Sequence, residues 1–340
     1  MDALDAVRRV ASARDGIVTL RQARAAGFTT HEVQRLCRAG RWRVVARGSY
    51  LVDADLYDGV PRRARIRAAL ESFGPSAGAV LATAAELHGM AGLKATDVIH
   101  LSVPGPVARP ARIAHPEVVV HQLVVPSGQF VRVDGLTVTE PLRTLADVSL
   151  RVDRFSAVSV LDSALNRRLV TAEDLLSFPR LIRGRRGAVA ARGFLSEVDG
   201  RAQSPLETRA RLRCVDGRVP PDALQLEVRD DDGYLLGIGD LAWRRHRIIA
   251  EADGRGPHGL PEAVFVDRRR PEPPGERRLD GPPIHLAGHP APRLHPVDGP
   301  PGNGRGPSLL IMKLLPRHAA TAGNNFMITG AMRGGGWGGQ

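Results

Sequence analysis

Apolar and polar residues recur along this chain with two periods, and the changes of period divide it into elements. Leu4, Val7 and Val10/Ala11 share one helical face, which predicts a helix from Leu4 to Ala13. A short extended lead-in from Gly16 to Thr19 follows, and Thr19 caps a second helix, Leu20 to Ala26, that Gly27 stops. Thr29, with Glu32 three residues on, forms a capping box that opens a third helix. Val33, Leu36 and Cys37 make the inner face of that helix. Thr30, His31, Gln34, Arg35 and Arg38 fall outside, and Gly40 ends it. Arg41 to Val52 reads as a hairpin turning near Arg47-Gly48. Three short helices and a hairpin make the element order of a winged helix-turn-helix. In that fold the third helix enters the major groove and the wing arginines Arg41, Arg43 and Arg47 reach phosphate or the minor groove. The competing reading is that these charges only solvate a small domain.

From Pro61 the pattern becomes mixed. Pro61-Arg62-Arg63 leads a basic amphipathic helix to Phe73, and Gly78 to Met90 reads as an apolar helix carrying His88. Asp97–Val103 and Val118–Val125 have the length and β-branched content of strands, and Gly105–Pro116 is the loop between them. A helix starts at Thr139-Glu140-Pro141, and others are expected near Arg154–Arg167, Thr171–Ser177 and Ala188–Val198. Arg180 to Arg192 reads as a basic linker, suited equally to tracking phosphates and to solvation. His88, His100, His115 and His121 lack metal-ligand spacing and are assigned structural roles.

Further on, Ser204 to Gly254 concentrates candidate chemistry. Leu235–Trp243 and Ile248–Asp253 are apolar runs of strand length joined by four polar residues. A turn centred on Arg245-His246 sets Asp240 opposite Glu251, with Asp253 on the same face by the period of two. Facing carboxylates repel, and a divalent cation such as Mg²⁺ or Mn²⁺ compensates such a cluster. Glu207, near the start of the preceding helix, is a fourth candidate, although Ser204, Pro205 and Glu207 also form a helix-capping pattern. His258 stands near enough in sequence to serve as a general acid or base.

Charge and composition sharpen this picture. The formal net charge is +12 with a pI near 11, which favours a polyanionic partner, most simply double-stranded DNA. Only two of the 48 Lys and Arg residues are lysine, Lys94 and Lys313. Cys37 and Cys214 are far apart and have no metal spacing, as befits a reducing compartment. No signal pattern or membrane-length apolar run is visible, so a cytoplasmic location without a membrane partner is expected. From Pro271 to Gln340 there are 12 Pro and 14 Gly, a level at which disorder is expected.

Three resemblances follow from quoted segments. G-I-V-T-L-R-Q-A-R-A-A-G-F-T-T-H-E-V-Q-R-L, continued by R-G-S-Y-L-V, resembles the N-terminal domain of AbiEi-type antitoxins. That likeness implies a transcriptional regulator of a type IV toxin–antitoxin system, with a cognate toxin encoded by an adjacent gene. T-V-T-E-P-L-R-T-L-A-D-V resembles the central part of the same family. S-P-L-E-T-R, G-D-L-A-W and I-I-A-E-A-D-G resemble very-short-patch-repair endonucleases of the PD-(D/E)xK superfamily. This last likeness implies that Glu207, Asp240 and Glu251 hold a metal and activate water. Asp253 stands where much of the superfamily has Lys, a departure shared by the short-patch-repair branch. The strand and helix that normally follow D-R-R-R in that family are not recognisable.

The expected fold is an α/β multidomain chain. It comprises a winged helix-turn-helix (1–52), a mixed α/β middle region (53–200), an incomplete restriction-endonuclease-like α/β domain (201–270) and a disordered or frameshifted tail (271–340). Three functions compete: a DNA-binding regulator, a Mg²⁺-dependent nuclease, and an interaction module that keeps the nuclease fold without its chemistry.

Overall fold

The computed structural model describes residues 2–103, 117–123, 125–230 and 232–252, and the backbone of 309–316 and 326–334. It divides into two compact units, residues 1–160 with 167–196, and residues 161–166 with 197–340.

The first unit begins with α1 (Ala3–Ser12), β1 (Ile17–Thr19), α2 (Leu20–Ala25), α3 (Thr30–Arg38), β2 (Arg43–Ala46) and β3 (Ser49–Leu51). Both expected capping boxes are present, at Thr19–Gln22 and Thr29–Glu32. The strands form a sheet in the order β1-β3-β2. Val7, Val18, Ala23, Val33, Trp42 and Val52 are buried together beneath it. This is the winged-helix order read from the sequence, with the wing turning at Arg47-Gly48, where Gly48 takes φ +71°.

Next comes α4 (Arg62–Phe73), the helix expected there, but it buries apolar residues in two cores rather than along one face. Ala64 and Ala68 pack with Ile17, Val45 and Leu51 of the winged helix, while Ile66, Ala69 and Leu70 pack into a second core. Even Arg67 is 2% exposed. That second core belongs to a five-stranded sheet of order β6-β5-β4-β8-β7. Its strands are β4 (Gly78–Ala79), β5 (Ile99–Ser102), β6 (Val118–His121), β7 (Phe130–Val133) and β8 (Leu136–Thr139).

Two corrections arise here. Gly78 to Met90 is not one helix but β4 followed by α5 (Leu81–Leu87), because Gly78 and Ala79 are taken by pairing with β5 and β8. The β7–β8 hairpin was missed, although Asp134-Gly135 between β-rich runs is a strong hairpin signal. The loop expected at Gly105–Pro116 lies almost wholly outside the described residues.

The unit closes with α6 (Pro141–Ser149), α7 (Arg154–Asn166, whose residues 161–166 count with the second unit), α8 (Ala172–Leu175), α9 (Phe178–Ile182) and α10 (Ala188–Phe194). The presumed linker from Arg180 to Arg192 is therefore largely helical and packed. Ile182, Ala188 and Ala191 are buried, and Arg185 pairs at 2.6 Å with the fully buried Asp147. The helix expected from Ala188 is α10, whereas the basic composition hid the apolar residues of α9.

In the second unit, α11 (Pro205–Asp216) packs on β9 (Ala223–Arg229), β10 (Leu235–Trp243) and β11 (Ile248–Ala252). Ala210, Leu224, Leu241 and Ala250 are its buried contacts, with Trp243 at their margin. The sheet continues with β12 (Leu309–Pro316), parallel to β11, and β13 (Phe326–Gly334), giving the order β13-β12-β11-β10-β9. Two strands thus lie within the stretch expected to be disordered. The brief apolar run Leu309–Leu315 stands out against the Pro and Gly of that stretch, and β12 forms on it. The register also pairs Lys313 of β12 with Glu251 of β11, so one of the two lysines falls on the strand beside the carboxylates. Among the described residues no helix is long and apolar enough to cross a membrane.

Candidate nucleic-acid interface

The third helix is held at its start by reciprocal bonds. Glu32 donates its backbone N–H to Thr29 Oγ1 (3.2 Å), and its carboxylate accepts from both the backbone N–H and the hydroxyl of Thr29 (2.8 Å each). Those bonds hold the Glu32 carboxyl below its ordinary pKa, the Thr29 backbone N–H contributing most. The cap fixes where α3 begins and hence which side chains its first turn presents.

Below it, Trp42 is 2% exposed, with its ring 5.4 Å from Phe28 and 6.3 Å from Tyr50. This aromatic row joins the α2–α3 turn to the wing. Leu20 donates its N–H to the Gly48 carbonyl (2.9 Å), tying the tip of the wing to the start of α2.

On this scaffold α3 buries Val33 and half-buries Leu36 and Cys37, as its periodicity dictates. His31, Gln34, Arg35 and Arg38 are exposed and Thr30 is half-buried. In the wing Arg41, Arg43 and Arg47 are all exposed. They are not equivalent, because Arg41 has an ion pair with Asp55 at 3.4 Å. Arg21 and Arg24, not among the residues expected to face DNA, are exposed on α2 and add positive charge to the same small domain. Val44, likewise unexpected, is an apolar wing residue left 54% exposed. Their signal was available in the helical period of α2 and the strand period of β2.

The carboxylates of the second unit form a different kind of site. The β10–β11 pairing matches Trp243 with Ile248, Ala242 with Ile249 and Leu241 with Ala250, so the expected register is the observed one. Asp240 Oδ2 accepts from the Ala252 N–H (2.8 Å) across that pairing. On its other flank Gln225 of β9 intervenes. Its Nε2 donates to Asp240 Oδ1 (3.0 Å) and to Glu207 Oε2 (2.9 Å).

Glu207 is 6% exposed, and its carboxylate also accepts from the Gln203 N–H (2.9 Å), one residue before the capping Ser204. Burial pushes its pKa up and Asp240 adds to the rise, while the bonds from Gln203, Ser204 and Gln225 oppose it. The structure thus brings Glu207 and Asp240 to one amide, with Glu251 half-buried on β11. Among the described residues no group of three or more His, Cys, Asp or Glu side chains is placed to hold a metal ion. Asp253 and His258 lie outside the described residues.

Two further polar clusters were not anticipated. His100 and His121, on paired strands, share a hydrogen bond between Nδ1 and Nε2 (2.9 Å), and burial holds both below the ordinary histidine pKa. Asp162 is fully buried, accepting from the Asp199 N–H (2.7 Å), the Thr208 hydroxyl (2.8 Å) and the Arg211 guanidinium (2.9 Å).

The fold and its exposed basic helix define a winged-helix module continuous with an α/β domain. Comparison with known families agrees. Residues 5–52 match the family described as transcriptional regulator, AbiEi antitoxin, and residues 77–197 match the AbiEi antitoxin C-terminal domain. The Mycobacterium tuberculosis proteins called Uncharacterized protein MT2308 (strain CDC 1551 / Oshkosh) and Uncharacterized protein Rv2248 (strain ATCC 25618 / H37Rv) are each 35% identical to it over 204 residues. Each match spans 60% of this chain and 72% of the relative. The chain belongs to the family of these mycobacterial proteins and carries AbiEi antitoxin domains at residues 5–52 and 77–197. The crystal structure of the RV2827C protein from Mycobacterium tuberculosis is similar at a TM-score of 0.41 and 16% identity, over 66% of this chain and 87% of that one, too distant to define the fold.

Proposed function

We propose that the chain is an antitoxin-like transcriptional regulator that binds duplex DNA through α3 and its wing. The observation that carries this reading is the exposed polar row His31, Gln34, Arg35 and Arg38 on a helix whose start is fixed by the Thr29–Glu32 box. Side chains at the first turns of such a helix meet base edges, and Gln and Arg are the types that pair bidentately with adenine and guanine there. Arg43 and Arg47 extend from the wing, and Arg21 and Arg24 from α2, as phosphate contacts that carry no sequence information. The AbiEi antitoxin domains support the regulatory setting and a toxin encoded by a neighbouring gene as partner.

The test is binding to duplexes tiled across the region upstream of its own gene. Gln34→Ala and Arg35→Ala erode the preference for one duplex over the others, whereas Arg43→Ala and Arg47→Ala weaken all duplexes alike. Equal loss across duplexes for both groups of variants contradicts the assignment of α3 as the reading element.

A further inference from the structure

Two turns in the first unit share a conformation. Asp15-Gly16 connects α1 to β1 in the winged helix, and Asp134-Gly135 connects β7 to β8 in the five-stranded sheet. Both aspartates are left-handed, at φ +54° and +46°, and both glycines follow at φ +81° and +78°. Two arginines of α4, one helical turn apart, grip both turns. Arg63 donates from Nε to Asp15 Oδ1 (2.7 Å) and from Nη2 to Asp134 Oδ2 (2.7 Å). Arg67 donates from Nε to Asp15 Oδ2 (2.6 Å) and from Nη2 to the Asp134 carbonyl (2.8 Å). Each guanidinium therefore holds one atom of the winged helix and one of the sheet, and the Asp15 carboxylate is occupied on both oxygens.

The apolar residues of α4 repeat this division, Ala64 and Ala68 towards the winged helix and Ile66, Ala69 and Leu70 towards the sheet. A guanidinium as buried as that of Arg67, 2% exposed, is tolerable only while its partners stay in place. Displacing either turn from α4 strands this charge, so neither turn opens cheaply by itself.

We infer that Arg67, with Arg63, is a positioning residue that makes the winged helix and the five-stranded sheet open as one cooperative body, so that engagement of DNA by α3 is felt in the sheet. The DNA half of this inference rests on the reading of α3 as the recognition helix; the cooperative half does not.

Hydrogen exchange on the full chain tests both. Without DNA, the slowest amides of β3 and β8 share one opening in the wild type. In Asp15→Asn, where Asn accepts the left-handed backbone readily, β3 exchanges faster by about tenfold or more while β8 is unchanged. Arg67→Met uncouples the strands in the same way. Should that variant fail to fold, Asp15→Asn still decides.

A short mixed-sequence duplex at low salt then slows β8 as well as β3 in the wild type, but only β3 in Asp15→Asn. Independent opening of β3 and β8 in the wild type, or equal changes at both strands in Asp15→Asn, overturns the clamp. Binding that leaves β8 unaffected in the wild type overturns the transmission. Failure of the wild type to bind any duplex refutes the DNA reading instead, and leaves the DNA-free comparison to judge the clamp.

Discussion

The winged helix and the C-terminal sheet both set charged residues on regular elements, and they use them in opposite ways. On α3 the charged and amide side chains face solvent above a core of Val33, Trp42 and their neighbours. Against the sheet, Glu207 of α11 turns inward, and the Gln225 amide of β9 joins it to Asp240 of β10. The difference lies in what satisfies each polar group. Exposed groups keep their water until a ligand replaces it, so they remain available for recognition. Inward groups are satisfied by the protein itself and serve first to hold the fold.

The contrast implies that damage to the winged-helix scaffold is felt as stability and damage to its polar face is not. Trp42→Ala removes the centre of the aromatic row and should cost about 3–5 kcal/mol, measured by denaturant unfolding. Gln34→Ala, at an exposed position, should leave the unfolding midpoint within experimental error. Comparable losses from both would erase the distinction.

Asp162 is the next largest. Burial raises its carboxyl pKa to about 6 against its bonds to Asp199, Thr208 and Arg211. The folded state therefore holds a proton that the unfolded state releases, and stability falls as pH rises from roughly 4 to 6. At about 1.4 kcal/mol per unit the loss approaches roughly 3 kcal/mol, and above this window Asp162 contributes no further slope. Asp162→Asn should flatten that part of the stability profile. An unchanged slope would show that other groups set it.

Gln225 offers a smaller and more pointed test. Removing its amide in Gln225→Leu leaves Glu207 and Asp240 facing each other without the shared donor, at a cost of about 1–3 kcal/mol near neutral pH. The raised pKa of Glu207 means that acidification neutralises it early, so the cost should shrink as pH falls through the upper carboxylate range. A pH-independent cost would mean that Gln225 acts by packing alone.

Much of this organisation was legible from local pattern. The caps at Thr19 and Thr29, the wing turn at Gly48 and the Asp240–Glu251 register each depend on a few neighbouring residues, and each is where the sequence put it. The AbiEi resemblance likewise rested on contiguous segments. What escaped depends on partners distant in the chain. Gly78 and Ala79 become a strand only because β5 and β8 flank them. Arg67 looks like a surface cation until Asp15 and Asp134 are brought to it. Gln225 carried no signal as a neutral residue in a strand. Yet it decides how the carboxylates are satisfied.

The central claim is that α3 and the wing bind duplex DNA, and a salt series on the full chain tests it most directly. Affinity for an upstream duplex, measured by fluorescence anisotropy, should fall linearly in log–log form with salt, because each neutralised phosphate releases counterions. Arg43→Ala and Arg47→Ala should each reduce the magnitude of that slope by about 1, while Arg41→Ala, whose guanidinium is already paired with Asp55, should reduce it less. No binding at low salt, or a slope that the two wing variants leave unchanged, would contradict the account.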